Sequence, residues 1–122
     1  PNRSIYLPMA RDALPDVLAT FDAPDPNLVA GARSLTVVPT QSLFLMNSKM
    51  AIGSARAIAE KVCEEEESNR IPFAYQLILG RNPDENERRT TRSFLKDGED
   101  REKTWAHICQ ALLCSGEFRI LF

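Results

Sequence analysis

The chain has 122 residues, 43% of them apolar and 26% charged, a composition that suits one ordinary folded domain able to bury about two thirds of its unfolded surface. A net charge of -2 supplies no overall basic field, so neither nucleic acid nor anionic lipid is an expected partner. No apolar run approaches the roughly 20 residues needed to cross a bilayer, and no signal-peptide pattern opens the chain.

Residues 1–39 read as an irregular, proline-rich arm. Pro8, Pro15, Pro24, Pro26 and Pro39 interrupt it at short intervals, each fixing its own backbone and restricting the residue before it, which excludes long helices. Leu14, Val17, Leu18 and Phe21 are spaced for a short helix that starts near Pro15 and stops before Ala23-Pro24. Asp22 to Asn27 is a turn cluster, and Ser34 to Val38 favours a short extended piece.

The texture changes at Pro39-Thr40-Gln41. With Thr40 as N-cap, Leu43, Phe44, Asn47, Ala51, Ser54, Ala55, Ile58 and Val62 mark one face of a single helix running over 41–65. The small residues at its centre let another backbone approach closely. Glu64 to Glu67 form a solvated charge run that opposes the helix dipole and should fray that end. A second helix over 72–80 buries Phe73, Leu77 and Ile78 and stops at Gly80. Asn82-Pro83-Asp84-Glu85 supplies a cap and capping box for a third helix over 83–97, anchored by Phe94 and Leu95, with Glu87-Arg88-Arg89 on its solvated side. The fourth, over 100–115, carries the clearest amphipathic pattern: Trp105, Ile108, Cys109, Leu112 and Leu113. The fold expected is all-α, a small bundle of about four main helices (residues 40–122) with the arm wrapped around it, in one domain over 1–122. Because the sequence opens at Pro1 without a methionine, it is expected to be a piece of a larger protein.

Few residues suggest chemistry. Cys63, Cys109 and Cys114 lack the C-x-x-C spacing of zinc, thioredoxin-like or haem sites and read as free buried thiols; Cys109 and Cys114, five apart, fall on different helix faces. His107, the sole histidine, lies off the Trp105 face and is expected to be exposed. Asp22, Asp25 and Asn27 are the one tight polar cluster, but calcium needs about six to eight oxygens and no EF-hand spacing is present, so turn and cap duty is expected and no metal or cofactor is assigned. Asn47 falls on an apolar stripe, where an amide needs a hydrogen-bond partner, and is expected to bind backbone of the arm. Arg81, just after the Gly80 stop, can reach the last carbonyls of the helix before it or an acidic partner such as Glu117.

Three motifs together resemble a known family: Arg3-Ser4-Ile5-Tyr6-Leu7-Pro8 with Arg11 and Pro15, Phe21 to Asn27, and Thr36 to Asn47. The chain resembles the planctomycete-specific C-terminal domain of unknown function 1553 from about Arg3 to Phe118; Leu-Gly-Arg-x-Pro (Leu79 to Pro83) and the closing Ser-x-Glu-Phe (Ser115 to Phe118) are also similar to other bacterial helical modules. It departs from the family at Asp12, where an asparagine is expected, and at Cys114-Ser115-Gly116, where Asn-Ser is usual. The resemblance implies a large exported parent in which this domain follows a second uncharacterised domain, often behind a c-type cytochrome-like domain; this chain has no Cys-x-x-Cys-His to hold haem. The expected role is that of a non-catalytic accessory or interaction domain, extracytoplasmic, whose partner is the upstream domain or another protein. The alternative is a share in an enzyme site completed upstream, with Tyr6, Arg11, Asp22, Asp25 and Asn27 as its binding residues, acting in polysaccharide breakdown.

Overall fold

The computed structural model describes Leu18, Thr20, Phe21 and residues 39–119. The chain divides into two compact units, Pro1–Gln41 and Ser42–Phe122. In the first, Leu18 and Thr20 are helical and Phe21 lies in a turn, within the span expected for a short helix. The remainder of that helix and the extended piece at 34–38 lie outside the described residues.

Six helices follow in order: α1 (Pro39–Asn47), α2 (Lys49–Glu64), α3 (Arg70–Leu79), α4 (Glu85–Asp97), α5 (Arg101–Cys114) and the single turn α6 (Gly116–Arg119). The described residues are all-α, with no strand among them.

The one long helix expected over 41–65 is two. Ser48 stands between α1 and α2 in an extended conformation, φ -70° and ψ 124°. Asn47 and Ser48 are weak helix formers because their short polar side chains compete for nearby backbone groups. Here the Asn47 amide donates to the Leu43 carbonyl at 2.8 Å, and Ser48, as N-cap, already accepts from the Ile52 N–H at 2.9 Å through its own carbonyl. The break resets the helical phase, so a stripe counted through residue 48 does not continue on one face. Thr40 accordingly lies inside α1, one residue past its start at Pro39, rather than capping it.

The core of the second unit joins α2 to α5, the most extensively packed pair of helices. Ala51, Ala55, Ala59 and Val62 line the buried face of α2, a stripe of mostly small side chains that leaves room for large ones. Ala55, Ala59 and Val62 share one apolar cluster with Trp105, Ile108, Cys109 and Leu113 of α5, and Trp105 is 1% exposed. Helix α3 adds Ile71, Ala74, Tyr75 and Ile78, so Leu77, expected inside, is instead 47% exposed. In α4 the fully buried residue is Thr91; Leu95 is half-buried, and Phe94, expected as an anchor, is 49% exposed. A helix as polar as α4 places only a narrow strip against its neighbours, and residues one position apart diverge by about 100° around the axis.

Each helix end has a local cause. Gly80 closes α3 in the left-handed region at φ 73°, its N–H donating to the Gln76 carbonyl at 3.1 Å. The capping box of α4 lies two residues later than expected: the Asp84 carboxylate accepts from the Glu87 N–H and Glu87 accepts from the Asp84 N–H, both at 2.7 Å. Asp100 caps α5 by accepting from the Lys103 N–H at 3.1 Å. The acid-rich end of α2, expected to fray, is held by Arg70, which donates to the carbonyls of Glu65 at 2.9 Å and Cys63 at 2.7 Å. A cation at these last carbonyls offsets the unfavourable interaction of the nearby acids with the helix dipole.

Candidate functional site

Arg88, Arg92 and Lys96 recur every four residues on α4 and so form one basic ridge. The ridge lines a cleft of about 430 Å³ that is also lined by the first turn of α3, through Arg70, Ile71 and Pro72, and by Arg101 and Trp105 of α5. This volume falls within the range of roughly 300–1,000 Å³ usual for small-molecule sites. The α4–α5 connection contributes Gly98, where an added Cβ would stand 2.1 Å from Thr104 Oγ1. That hydroxyl is already committed, donating to the Asp100 carbonyl at 2.6 Å, so only glycine fits without displacing the start of α5.

Five cations and two carboxylates, Glu67 and Glu99, line the cleft. Glu67 is paired with Arg101. Arg88 donates through Nε to the Pro83 carbonyl at 3.2 Å. Arg92 and Lys96 are exposed and make no hydrogen bond or ion pair among the described residues. Among the described residues two buried donors lack a partner, and both belong to residues that line the cleft: Arg70 Nη1 and Trp105 Nε1. A buried donor left unmatched costs about 1–3 kcal/mol, more for a charged one, and buried indole N–H groups ordinarily find an acceptor. The cleft therefore combines apolar surface with permanently charged guanidinium groups, which is the chemistry of anion recognition.

Arg81 is wholly engaged elsewhere. Its guanidinium donates to Glu87 at 2.7 and 2.8 Å and to Glu117 at 2.6 and 2.8 Å, and lies 5.9 Å from the centre of the Tyr75 ring. Glu117 is the acidic partner that its sequence position suggested; Glu87, already in the capping box, was not anticipated. The clasp joins the turn after α3 to the starts of α4 and α6. Hydrogen bonding from Arg81 lowers the Glu87 carboxyl to about 2 and also lowers Glu117, and the two carboxylates raise Arg81 in return.

The other residues singled out by sequence do not assemble into a reaction centre. Tyr6, Arg11, Asp22, Asp25 and Asn27 lie outside the described residues. Asn47 is exposed, and its amide donates to the Leu43 carbonyl of its own helix at 2.8 Å; the break at Ser48 takes it off the α2 stripe. His107 is exposed, and the three cysteines are free, with burial pushing Cys109 up to about 12 and raising Cys63 and Cys114. No group of three metal-ligating side chains occurs among the described residues. The cleft itself was not identified from sequence. Its one legible trace was the Arg88, Arg92, Lys96 spacing, which reads equally as the solvated face of a polar helix.

A small all-α unit with a cationic cleft is the class of protein that this fold and site define. The chain belongs to the family described as "Protein of unknown function (DUF1553)", whose model matches residues 1–95. The match ends before the Phe118 expected from the motifs, so it takes in the basic ridge as far as Arg92 but not Trp105 or Arg101. No curated protein and no solved structure matches the chain.

Proposed function

We propose that this chain is a non-catalytic interaction domain, occupying the C-terminal position in a large exported bacterial protein of the planctomycete type that the sequence motifs resemble. The cationic cleft is the observation that carries the reading: it offers fixed charges and donors for holding a ligand. A general acid or base works best with a pKa near the operating pH. Among the described residues, Glu87 is lowered to about 2 by hydrogen bonds from Arg81 and Cys109 is pushed up to about 12 by burial, both away from that range. The partner that fits this role is the upstream domain of the same polypeptide or a molecule captured for it.

The test uses the full-length parent. Arg11→Ala, Asp22→Ala and Asp25→Ala, made singly, should leave unchanged any turnover found in a broad hydrolase screen, and calorimetry should detect no micromolar calcium binding. Loss of turnover with the melting temperature intact would place part of a reaction centre on this chain and overturn the reading.

A further inference from the structure

We propose that the cleft lined by α3, α4 and α5 is a binding site for a small molecule carrying two or more oxyanion groups, carboxylate or phosphate. The inference rests on reading the domain as a binding module and names the ligand class that the module takes.

Charge is the first argument. The chain as a whole is at -2, yet this cleft gathers Arg70, Arg88, Arg92, Lys96 and Arg101 against Glu67 and Glu99, a surplus of three positive charges from five cations and two carboxylates. Like charges repel across so small a volume, and the arrangement is relieved when an anion enters. A single negative charge would leave most of the surplus uncompensated, so the ligand is a polyanion.

Donor chemistry is the second argument. Arginine forks match the paired oxygens of carboxylate and phosphate, and among the described residues the Arg92 side chain has no partner and Arg70 Nη1 is unmatched. The first turn of α3 lines the same cleft, though its start offers little to a ligand: the Arg70 N–H donates to the Glu66 carbonyl at 3.2 Å and Pro72 carries no N–H. Independently, Trp105 is 1% exposed with its Nε1 unpartnered. Water cannot neutralise the charge of the guanidinium groups that line the cleft, whereas an oxyanion both accepts their hydrogen bonds and offsets that charge.

The third argument is shape. Ile71, Pro72 and Leu95 add apolar lining within a volume of about 430 Å³, enough for a compact organic anion and far too little for a folded partner.

The experiment exploits the single tryptophan, which gives one indole N–H signal in a nitrogen-15 correlation spectrum of the 122-residue chain. Pyrophosphate and citrate are titrated separately at low ionic strength; the two arms distinguish a phosphate from a carboxylate ligand, and saturation by either supports the site. The expected result is a saturable shift of the indole signal that weakens in high salt, with binding at least about tenfold poorer in the double variant Arg92→Gln, Lys96→Gln. Both side chains are exposed, so the variant should melt as the unmodified chain does; if it does not, Lys96→Glu alone supplies the comparison. No saturable shift with either polyanion into the millimolar range would overturn the proposal, as would unchanged affinity in a folded variant or an equal shift with uncharged glucose. Each of these failures would leave the non-catalytic reading standing, because that reading falls only to the turnover of the Arg11, Asp22 and Asp25 variants.

Discussion

Trp105 belongs to two structures at once, the apolar core that joins α2 to α5 and the lining of the cationic cleft. Trp105→Ala should cost about 3–5 kcal/mol in denaturant melts, the range for removing a large buried aromatic. Trp105→Phe should cost a minor part of that, since the indole N–H has no protein acceptor to lose; a loss equal to that of alanine would mean that the N–H is satisfied within the fold. Glu87 makes a prediction about acid. Its carboxyl is held at about 2, below the ordinary 4.5, chiefly by hydrogen bonds from Arg81. A depressed folded pKa contributes stability that is complete above the unfolded value and is lost as pH falls through the window from about 4.5 to about 2. Glu117 adds in the same direction, its carboxyl also lowered chiefly by hydrogen bonds from Arg81. Glu87→Gln should therefore melt lower than the unmodified chain at neutral pH, and the difference should shrink as pH approaches 2. The side chain is 27% exposed, so salt should reduce the effect. A melting-temperature gap that stays constant from pH 7 to the acid limit would refute the pairing.

At the scale of the helices, the ends matter more than the middles. Asp84→Ala removes the acceptor for the Glu87 N–H and should cost about 1 kcal/mol by chemical denaturation. Gly80 and Gly98 are irreplaceable for different reasons. An added Cβ at Gly80 meets nothing, but its φ of 73° would cost a non-glycine residue roughly 1–2 kcal/mol. Gly98 has ordinary backbone angles, and a methyl group there would strike the Thr104 side chain. Gly98→Ala should thus destabilise α5 at its first turn, and the double variant Gly98→Ala, Thr104→Ala should recover part of the loss by removing both the Oγ1 and the Cγ2 that an added Cβ would strike. If the double variant is no more stable than Gly98→Ala alone, the close approach is not what requires glycine.

At the scale of the whole unit, packing is unequal. Helices α2 and α5 share the bulk of the core, whereas α4 buries Thr91 fully and leaves most of its charged side chains exposed. Local opening is easiest where few apolar contacts must be broken. Native-state hydrogen exchange should therefore protect the amides of α2 and α5 most strongly and those of α4 least among the four longest helices. Equal protection of all four would indicate one indivisible cooperative unit. The same imbalance bears on the cleft: its basic ridge lies on the least anchored long helix, so occupation by a polyanion should slow exchange in α4 more than in α2.

Much of the architecture was legible because its causes are local. Helix periodicity, the Gly80 stop and the buried face of α5 depend on residues three or four apart, and the apolar spacing from Trp105 to Leu113 admits one reading. Where two local signals competed, the sequence was ambiguous: the spacing from Phe44 to Ala51 suited an unbroken helix, and Asn47-Ser48 suited a break. Tertiary structure decided in favour of the break, with Gln110 of α5 donating to the Met46 carbonyl at 2.8 Å. It also chose between Leu77 and Tyr75, and between Phe94 and Thr91, for the interior, since which of several positions within one turn is buried depends on where the other helices lie. The Arg81 clasp spans 36 positions to Glu117, and the cleft brings Arg70, Arg92 and Trp105 to one place. The chain by itself determined the class of fold and most helix ends, through interactions within a turn; the cleft arises from side chains distant in sequence, and only packing could bring their charges together.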